Sequence, residues 1–355
     1  MKNFILIAGL MFSFSMTAQT KVVKMNAVKS NNFGVAYSLP LTTFTIDAEV
    51  TKITSKAGPY YKYAEKYLGV KDVITEDKVV FQLDKVTLEN KGIPDKENSY
   101  MVEFKSGTTA PFVYLTEEGL ICSINAEVDE SIFSADSTKK KKVVPAGINS
   151  APELSEELLL AGSTAKQAEV AAKQIYRIRE SRLNILTGEA DNLPPDGDAM
   201  KLVIEQLEQQ EKALTNLFTG VVTKESLQKQ FTIQPTGNME KEILFRFSEL
   251  MGIVDADNLG GAPVYINLTA TEKAPVLEPK EAEKKLKNMK GIIYNLPGKA
   301  TIEIKMNNKT LYQGEHQVTQ FGSQESLAPS MFEDKKAPVK VYFYPQTGAI
   351  KQIIQ

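Results

Sequence analysis

The chain has 355 residues and a formal net charge of -2, from 42 Lys and Arg against 44 Asp and Glu. This balance gives no reason to expect binding to nucleic acid or to an anionic membrane surface. The single cysteine, Cys122, excludes an intrachain disulfide, and one cysteine with one histidine cannot supply the ligands of a usual zinc site. We therefore expect no metal site and no cofactor, and a fold stabilised by its hydrophobic core.

The chain begins with a segment typical of a secretory signal. Lys2 precedes an apolar run from Phe4 to Phe14 of about eleven residues, too short to span a bilayer. Cleavage is expected after Ala18, although the large Met16 at position -3 leaves the bond open. We predict an exported protein without a membrane span, with the periplasm favoured over the cell surface or secretion.

Residues 19–126 are predicted to form an N-terminal strand-rich lobe. Apolar and polar residues alternate from Phe44 to Val50, which is typical of a half-buried antiparallel strand. The other predicted strands are Val79–Leu88, Tyr100–Lys105, Phe112–Leu115 and Leu120–Ala126. Residues 116–119 are expected to join the last two strands as a hairpin, and the phase of Cys122 places its thiol in the core.

Four tyrosines of this lobe stand close together in the sequence. Pro59 and Gly69 bound a predicted short helix, on one face of which Tyr60, Tyr63, Ala64 and Tyr67 lie. Packing of that face against the sheet is one interpretation, and a binding surface that includes Tyr60 and Tyr61 is the other. Of these two, Tyr61 is the better placed for exposure.

A polar linker is predicted at residues 127–150 and a helical hairpin at residues 151–220. The first long helix should begin after Ser163 or Thr164 and end at Gly188, and the second should run from about Asp198 to Thr219. The short connection makes the two helices antiparallel. Although Ser163 and Lys166 form an S-x-x-K motif, the other motifs of penicillin-binding enzymes are missing, so we interpret Ser163 as a helix cap.

Three arginines on the first long helix are candidate binding residues: Arg177, Arg179 and Arg182. Their expected partners are acidic residues on the antiparallel helix, namely Glu205, Glu208 and Glu211. An anion site or a protein interface is the alternative, because arginines beside apolar groups are common at interfaces.

Residues 221–355 are predicted to form a C-terminal strand-rich lobe. Its predicted strands are Ile243–Phe247, Val264–Leu268, Ile292–Leu296, Ala300–Met306, Thr310–Gln317 and Val339–Tyr344. A charged helix is expected from Glu281 to Lys290, and His316 is expected to be an ordinary surface residue of a strand. The predicted class is α+β, with two mainly antiparallel lobes and an inserted long αα-hairpin. The sequence leaves open whether the two lobes share one core.

Four segments, Tyr37–Pro40, Gly58–Gly69, Gln174–Arg182 and Leu244–Ser248, resemble the DUF4831 family of exported Bacteroidota proteins. The resemblance extends over nearly all of the mature chain and implies export, but it brings no catalytic residues. The same lineage suggests an O-glycan on Ser137, because residues 136–138 look like the short acceptor motif of O-glycosylation in Bacteroidota.

No catalytic set of residues is recognisable, so we leave the activity unknown and favour a non-enzymatic envelope protein. Its partner would be another envelope protein, bound through the helical hairpin or an exposed sheet edge. The alternative is a glycan-binding or glycan-cleaving protein that acts through carboxylates and tyrosines.

Overall fold

A computed structural model describes residues 21–24, 34–103, 112–127, 155–192, 197–332 and 339–355. The predicted signal segment, Ser137 and nearly all of the predicted linker lie outside these residues. The described chain is strand-rich and antiparallel with a smaller helical part, so the α+β prediction is confirmed. No helix in this part of the chain is both long and apolar enough to cross a membrane.

The secondary-structure elements of the described residues follow in chain order. The strands are β1 (Lys21–Lys24), β2 (Gly34–Lys56), β3 (Lys78–Glu103), β4 (Val113–Leu115), β5 (Ile121–Ile124), β6 (Val221–Ile233), β7 (Met239–Ser248), β8 (Gly252–Val254), β9 (Ala262–Glu272), β10 (Ile292–Met306), β11 (Lys309–Leu327), β12 (Lys340–Phe343) and β13 (Ile350–Ile354). The helices are α1 (Ala64–Leu68), α2 (Glu156–Leu160), α3 (Thr164–Thr187), α4 (Gly197–Thr219) and α5 (Pro279–Asn288), with 3₁₀ turns at Tyr61–Tyr63 and Pro329–Phe332.

The strands form three sheets. Their orders are β1-β3-β2-β6, β11-β10-β9-β7-β8 and β13-β12-β5-β4, and the paired strands are antiparallel. Strands from both sides of the helical region share sheets, because β6 pairs with β2 and β12 pairs with β5. The described residues of the two predicted lobes therefore contribute to common sheets and a common core, which answers the question that the sequence leaves open.

The largest hydrophobic cluster joins the first sheet to the second. The alternation in β2 places Phe44, Ile46 and Ala48 fully inside, as the sequence predicts. The same cluster contains Phe245 of β7 and Ile302 of β10. Burial of each large apolar side chain contributes about 1.5–3 kcal/mol, so this cluster is the main source of cohesion between the two sheets.

A second cluster lies where the start of β2 and the end of β3 meet the third sheet. It includes Tyr37 of β2, Tyr100 of β3, Ile121 of β5, Ile292 of β10 and Val341 of β12. The strand pairs β2/β3 and β10/β11 therefore run through both clusters. They are the long continuous elements that connect the two halves of the molecule.

Each of these long pairs bends at a register shift near a proline. The shifts lie between Ser38 and Pro40 in β2 and between Leu296 and Gly298 in β10. Proline has no N–H to donate to a ladder, and a bulge absorbs the break by bending the strand. The sequence predicts two separate strands in β3 and two in β10, and this is wrong because the bulges bend the strands without ending them.

Tyr37 takes the place of a missing strand at the bend of β10. The strand β9 pairs with β10 only from Lys299 onward, so no described strand adjoins Ile293 on that side. The Tyr37 hydroxyl donates to Ile293 O at 3.1 Å and accepts from Ile293 N at 2.9 Å. Burial raises the pKa of this phenol above its ordinary value, so the hydroxyl stays protonated and can make both bonds.

The two long helices begin and end as the sequence predicts. The Ser163 hydroxyl accepts a hydrogen bond from Lys166 N at 3.3 Å, so Ser163 is the N-cap of α3. Gly188 ends α3 in the left-handed conformation, with φ of 78°, and its N–H bonds back to the last turn. The S-x-x-K motif is thus part of a helix start.

Candidate functional site

The helices α3 and α4 form a hydrophobic cluster of their own. Ile175 and Ile178 of α3 pack with Leu214 and Phe218 of α4. Arg179 of α3 pairs with Glu211 of α4, whereas Arg182, later in α3, also reaches Glu208, earlier in α4. The two helices are therefore antiparallel. This helical pair is therefore a separate packing unit beside the sheets.

The predicted tyrosine helix covers one side of the helical pair. Tyr60 is buried, its ring lies 5.5 Å from that of Phe218, and its N–H donates to Leu217 O at 2.8 Å. The interpretation that this face packs on the sheet is wrong, since its buried residues belong to the helical cluster. The physical reason is that the apolar stripe of the two helices needs a cover, and the chain after β2 provides it. Tyr61 is partly exposed, with Lys62 Nζ 5.7 Å from its ring centre.

Two of the three candidate arginines hold α3 to α4. Arg179 Nε lies 2.6 Å from Glu211 Oε1, and Arg182 Nη1 lies 2.8 Å from Glu211 Oε2 and 3.7 Å from Glu208 Oε1. Partly exposed pairs of this kind contribute up to about 1 kcal/mol each. Arg179 and Arg182 are thus engaged within the fold, whereas Arg177 is exposed and makes no ion pair with another described residue.

Glu205 is the one expected partner that does not meet these arginines. Its carboxylate lies 3.9 Å from Lys201, one turn away on the same helix. The expectation of Glu208 and Glu211 as partners agrees with the structure, and the expectation of Glu205 does not. The position of Glu205 nearer the start of α4 places it beyond the reach of the arginines.

Three tyrosines lie together where α1 meets α3, and we call Tyr63, Tyr67 and Tyr176 the tyrosine surface. The Tyr176 hydroxyl donates to Tyr67 O at 2.8 Å, and the rings of Tyr63 and Tyr67 are 6.2 Å apart. Lys66 Nζ lies 5.0 Å from the Tyr67 ring centre and Arg179 Cζ 5.6 Å from that of Tyr176. Sequence reasoning missed Tyr176, whose only signal is its place beside the candidate arginines.

The end of the helical pair formed by the last turns of α3 and the first turns of α4 carries apolar side chains, and we call it the free end. The exposed fractions are 58% for Leu183, 63% for Leu186, 58% for Leu202 and 37% for Val203. The antiparallel arrangement brings the last turns of α3 beside the first turns of α4, so these residues lie at the same end of the helical pair.

Charged groups around the free end are mainly acidic. Glu189 and Asp191 follow α3, and Asp198 begins α4; all three are exposed. The cations Arg182 and Lys201 also lie near these residues, but each is paired with a glutamate. The free end therefore combines apolar contact area with a negative rim.

Other candidate residues fall into structural roles. His316 is half-buried, and its Nε2 lies 2.6 Å from the Tyr312 hydroxyl, so the expectation of an ordinary surface residue is wrong. The aromatic ring of Phe44 packs edge-on against the imidazole at 5.5 Å. Among the described residues no group of three or more His, Cys, Asp or Glu side chains has the arrangement of a metal site.

The fold and this surface define the class: a strand-rich α+β protein in which an antiparallel helical pair carries an apolar end. Residues 33–351 match the family described as a domain of unknown function, DUF4831. The chain therefore belongs to the DUF4831 family. No curated protein and no solved structure matches the chain.

Proposed function

We propose that this protein is a non-enzymatic binding protein of the cell envelope that contacts another envelope protein through the free end of its helical pair. The observation that carries the proposal is the exposure of Leu183, Leu186, Leu202 and Val203 in one region. Single exposed apolar residues are normal on protein surfaces, but several together are typical of contact sites.

The charges indicate what kind of partner fits. Glu189, Asp191 and Asp198 are exposed and adjoin the apolar residues in the chain, so a partner with an apolar patch and a basic rim is complementary. Complementary rim charges speed association at low salt, because the field extends about 10 Å at 0.1 M ionic strength. The association rate is therefore expected to fall as salt is added.

The exposed sheet edge is the weaker candidate for this contact. Among the described strands β6 pairs only with β2, so its other side has no strand partner there. It carries exposed charges at Lys224, Glu225 and Lys229. Charged side chains are a common protection of edge strands against further pairing, so the helical pair is the better contact surface.

Crosslinking with mass spectrometry in intact cells tests the proposal. Lys201 stands beside the free end, and we expect it to form links to one particular other protein. Substitution Leu186→Asp should reduce those links at least tenfold, because a carboxylate would be desolvated in the contact. Substitution Leu259→Asp, at an exposed turn in the second sheet, is the matched control and should leave them unchanged. If Lys201 and Lys173 form crosslinks only to other residues of this chain, the proposal is wrong.

Export is part of the same proposal, and the supporting observation is the signal-like segment from Lys2 to Ala18. We place the mature protein in the periplasm. N-terminal sequencing of protein from the periplasmic fraction should find a chain that begins near residue 19. A chain that retains Met1 and stays in the cytoplasmic fraction would contradict this.

A second candidate, glycan binding, has support from the tyrosine surface. Tyr63, Tyr67 and Tyr176 are partly exposed, and aromatic faces are suited to stacking on apolar faces of ligands. A glycan array should then give binding that Tyr176→Ala abolishes and that Tyr344→Ala, at a similarly exposed tyrosine after β12, does not. The absence of any array signal would remove this candidate.

A further inference from the structure

A groove of about 550 Å³ lies at the bends of the long strands, away from the helical pair. Its walls come from β2, the end of β3, the segment around α5, and the bent parts of β10 and β11. Pockets that bind small ligands or peptide side chains are usually of this size, between about 300 and 1,000 Å³. None of the features of the proposed function involves this groove.

The segment around α5 forms one wall and is held in place by few contacts. Ala274 N donates to Phe321 O at 2.8 Å, and Lys285 Nζ lies 2.7 Å from Glu325 Oε1. Most residues of α5 are exposed, and Leu286, which lines the groove, keeps 41% of its surface accessible. The groove thus has on this wall an apolar side chain, Leu286, that belongs to none of the three hydrophobic clusters.

Asn295 places a fixed hydrogen-bond acceptor in the groove lining. The residue is only 6% exposed, and its Nδ2 donates to Pro40 O at 3.1 Å and Thr347 O at 3.0 Å. These two bonds use both amide hydrogens and fix the orientation of the amide. Its Oδ1 accepts no hydrogen bond from the part of the chain that the structure describes. A ligand N–H or O–H in the groove would find in this oxygen an acceptor whose direction the two Nδ2 bonds fix.

Gln324 places a donor in the same lining. Its Oε1 accepts from the Tyr100 hydroxyl at 3.0 Å, which orients the amide nitrogen Nε2 away from Tyr100. Within the described residues Nε2 has no acceptor. The groove therefore presents one oriented acceptor and one oriented donor, which is the complement of the C=O and N–H of a peptide backbone.

The remaining lining decides between ligand classes. Leu41, Leu277, Leu286 and Met289 offer apolar contact area, and none of the described lining residues is aromatic. The lining cation, Lys285, is already paired, while Asp95 and Glu283 add negative charge. Sugars are usually bound with an aromatic stacking face and anions with free cations, so neither ligand is favoured.

We propose that this groove binds a short extended polypeptide segment with apolar side chains and no acidic ones. The backbone of the segment would donate to Asn295 Oδ1 and accept from Gln324 Nε2, and its side chains would lie on the leucines and Met289. Main-chain hydrogen bonds give affinity in this mode of recognition, and side-chain pockets give sequence preference.

Selection of a phage-displayed random peptide library on the full mature protein, followed by titration of the enriched synthetic peptides, tests the proposal. We expect peptides rich in apolar residues and poor in Asp and Glu. Leu286→Trp should fill the groove and weaken their binding at least tenfold. Gln324→Glu keeps the acceptor for Tyr100 but removes the free donor, and should weaken binding about tenfold.

Leu259→Trp is the matched control, since Leu259 is 82% exposed and lies outside the groove, and it should leave peptide affinity unchanged. Unchanged melting temperatures would establish that all three variants are folded. A library that yields no peptides, or peptides that Leu286→Trp binds as tightly as the wild type, would overturn the proposal. Glycans whose binding is lost in Leu286→Trp would also overturn it and assign the groove to saccharides. Leu186→Asp, which tests the proposed function, should leave peptide affinity unchanged, so the two proposals fail independently.

Discussion

Replacing Tyr37 with Phe should destabilise the protein more than any other loss of a single hydroxyl. The substitution removes two hydrogen bonds, of 3.1 Å and 2.9 Å, that the hydroxyl makes with Ile293 O and Ile293 N. Both residues are nearly fully buried, so water cannot replace the hydroxyl. Each lost bond costs about 0.5–1.5 kcal/mol and each buried group left unpaired about 1–3 kcal/mol; because these terms overlap, we expect about 2–4 kcal/mol in total.

Urea unfolding followed by circular dichroism measures this cost, since the chain has no tryptophan to report by fluorescence. Tyr176→Phe is the matched control, because its hydroxyl bonds to Tyr67 O at 2.8 Å on the exposed surface, where water can substitute. The control should change the free energy of unfolding by less than about 0.5 kcal/mol. An equally small change for Tyr37→Phe would refute the reasoning that this hydroxyl replaces a strand at the bend of β10.

Three further predictions concern buried side chains. Phe218→Ala should lower the free energy of unfolding by about 3–5 kcal/mol in urea titrations, because the fully buried ring fills the centre of the helical cluster; a loss below about 1 kcal/mol would contradict this. Burial raises the pKa of the Cys122 thiol to about 12, so a thiol reagent at neutral pH should label it in urea and not in the native protein, and rapid native labelling would contradict its core position. Burial lowers the pKa of His316 below its ordinary 6.5, so on acidification the unfolded chain binds a proton at this histidine before the folded protein does, and the free energy of unfolding should fall as the pH drops below about 6.5. In His316→Gln this part of the pH dependence of stability should be lost. The same pH dependence in the variant and the wild type would contradict the prediction.

The local features of the fold could be predicted because they depend on neighbouring residues. The alternation from Phe44 to Val50 identifies a buried strand face, and Ser163 and Gly188 mark the ends of α3. The position of Cys122 in the core follows from the same period of two. In each case the signal lies within a few residues of the feature.

The arrangement of the sheets could not be predicted, because it depends on contacts between distant segments. The pairing of β6 with β2 and the bond from Tyr37 to Ile293 join residues that are far apart in sequence. The pairing of Arg182 with Glu211 was accessible only because a short connection forces the two helices to be antiparallel. The groove beside Asn295 has no sequence signal at all, since five separate parts of the chain build it.

Photo-crosslinking at the free end tests the central claim most directly. A photoreactive amino acid in place of Leu186, introduced in intact cells, should give an adduct with one particular protein after irradiation. The same group at Leu259, which is even more exposed at 82%, should give none. Equal adducts from the two positions, or no adduct from Leu186, would contradict the claim that the helical pair is a contact surface.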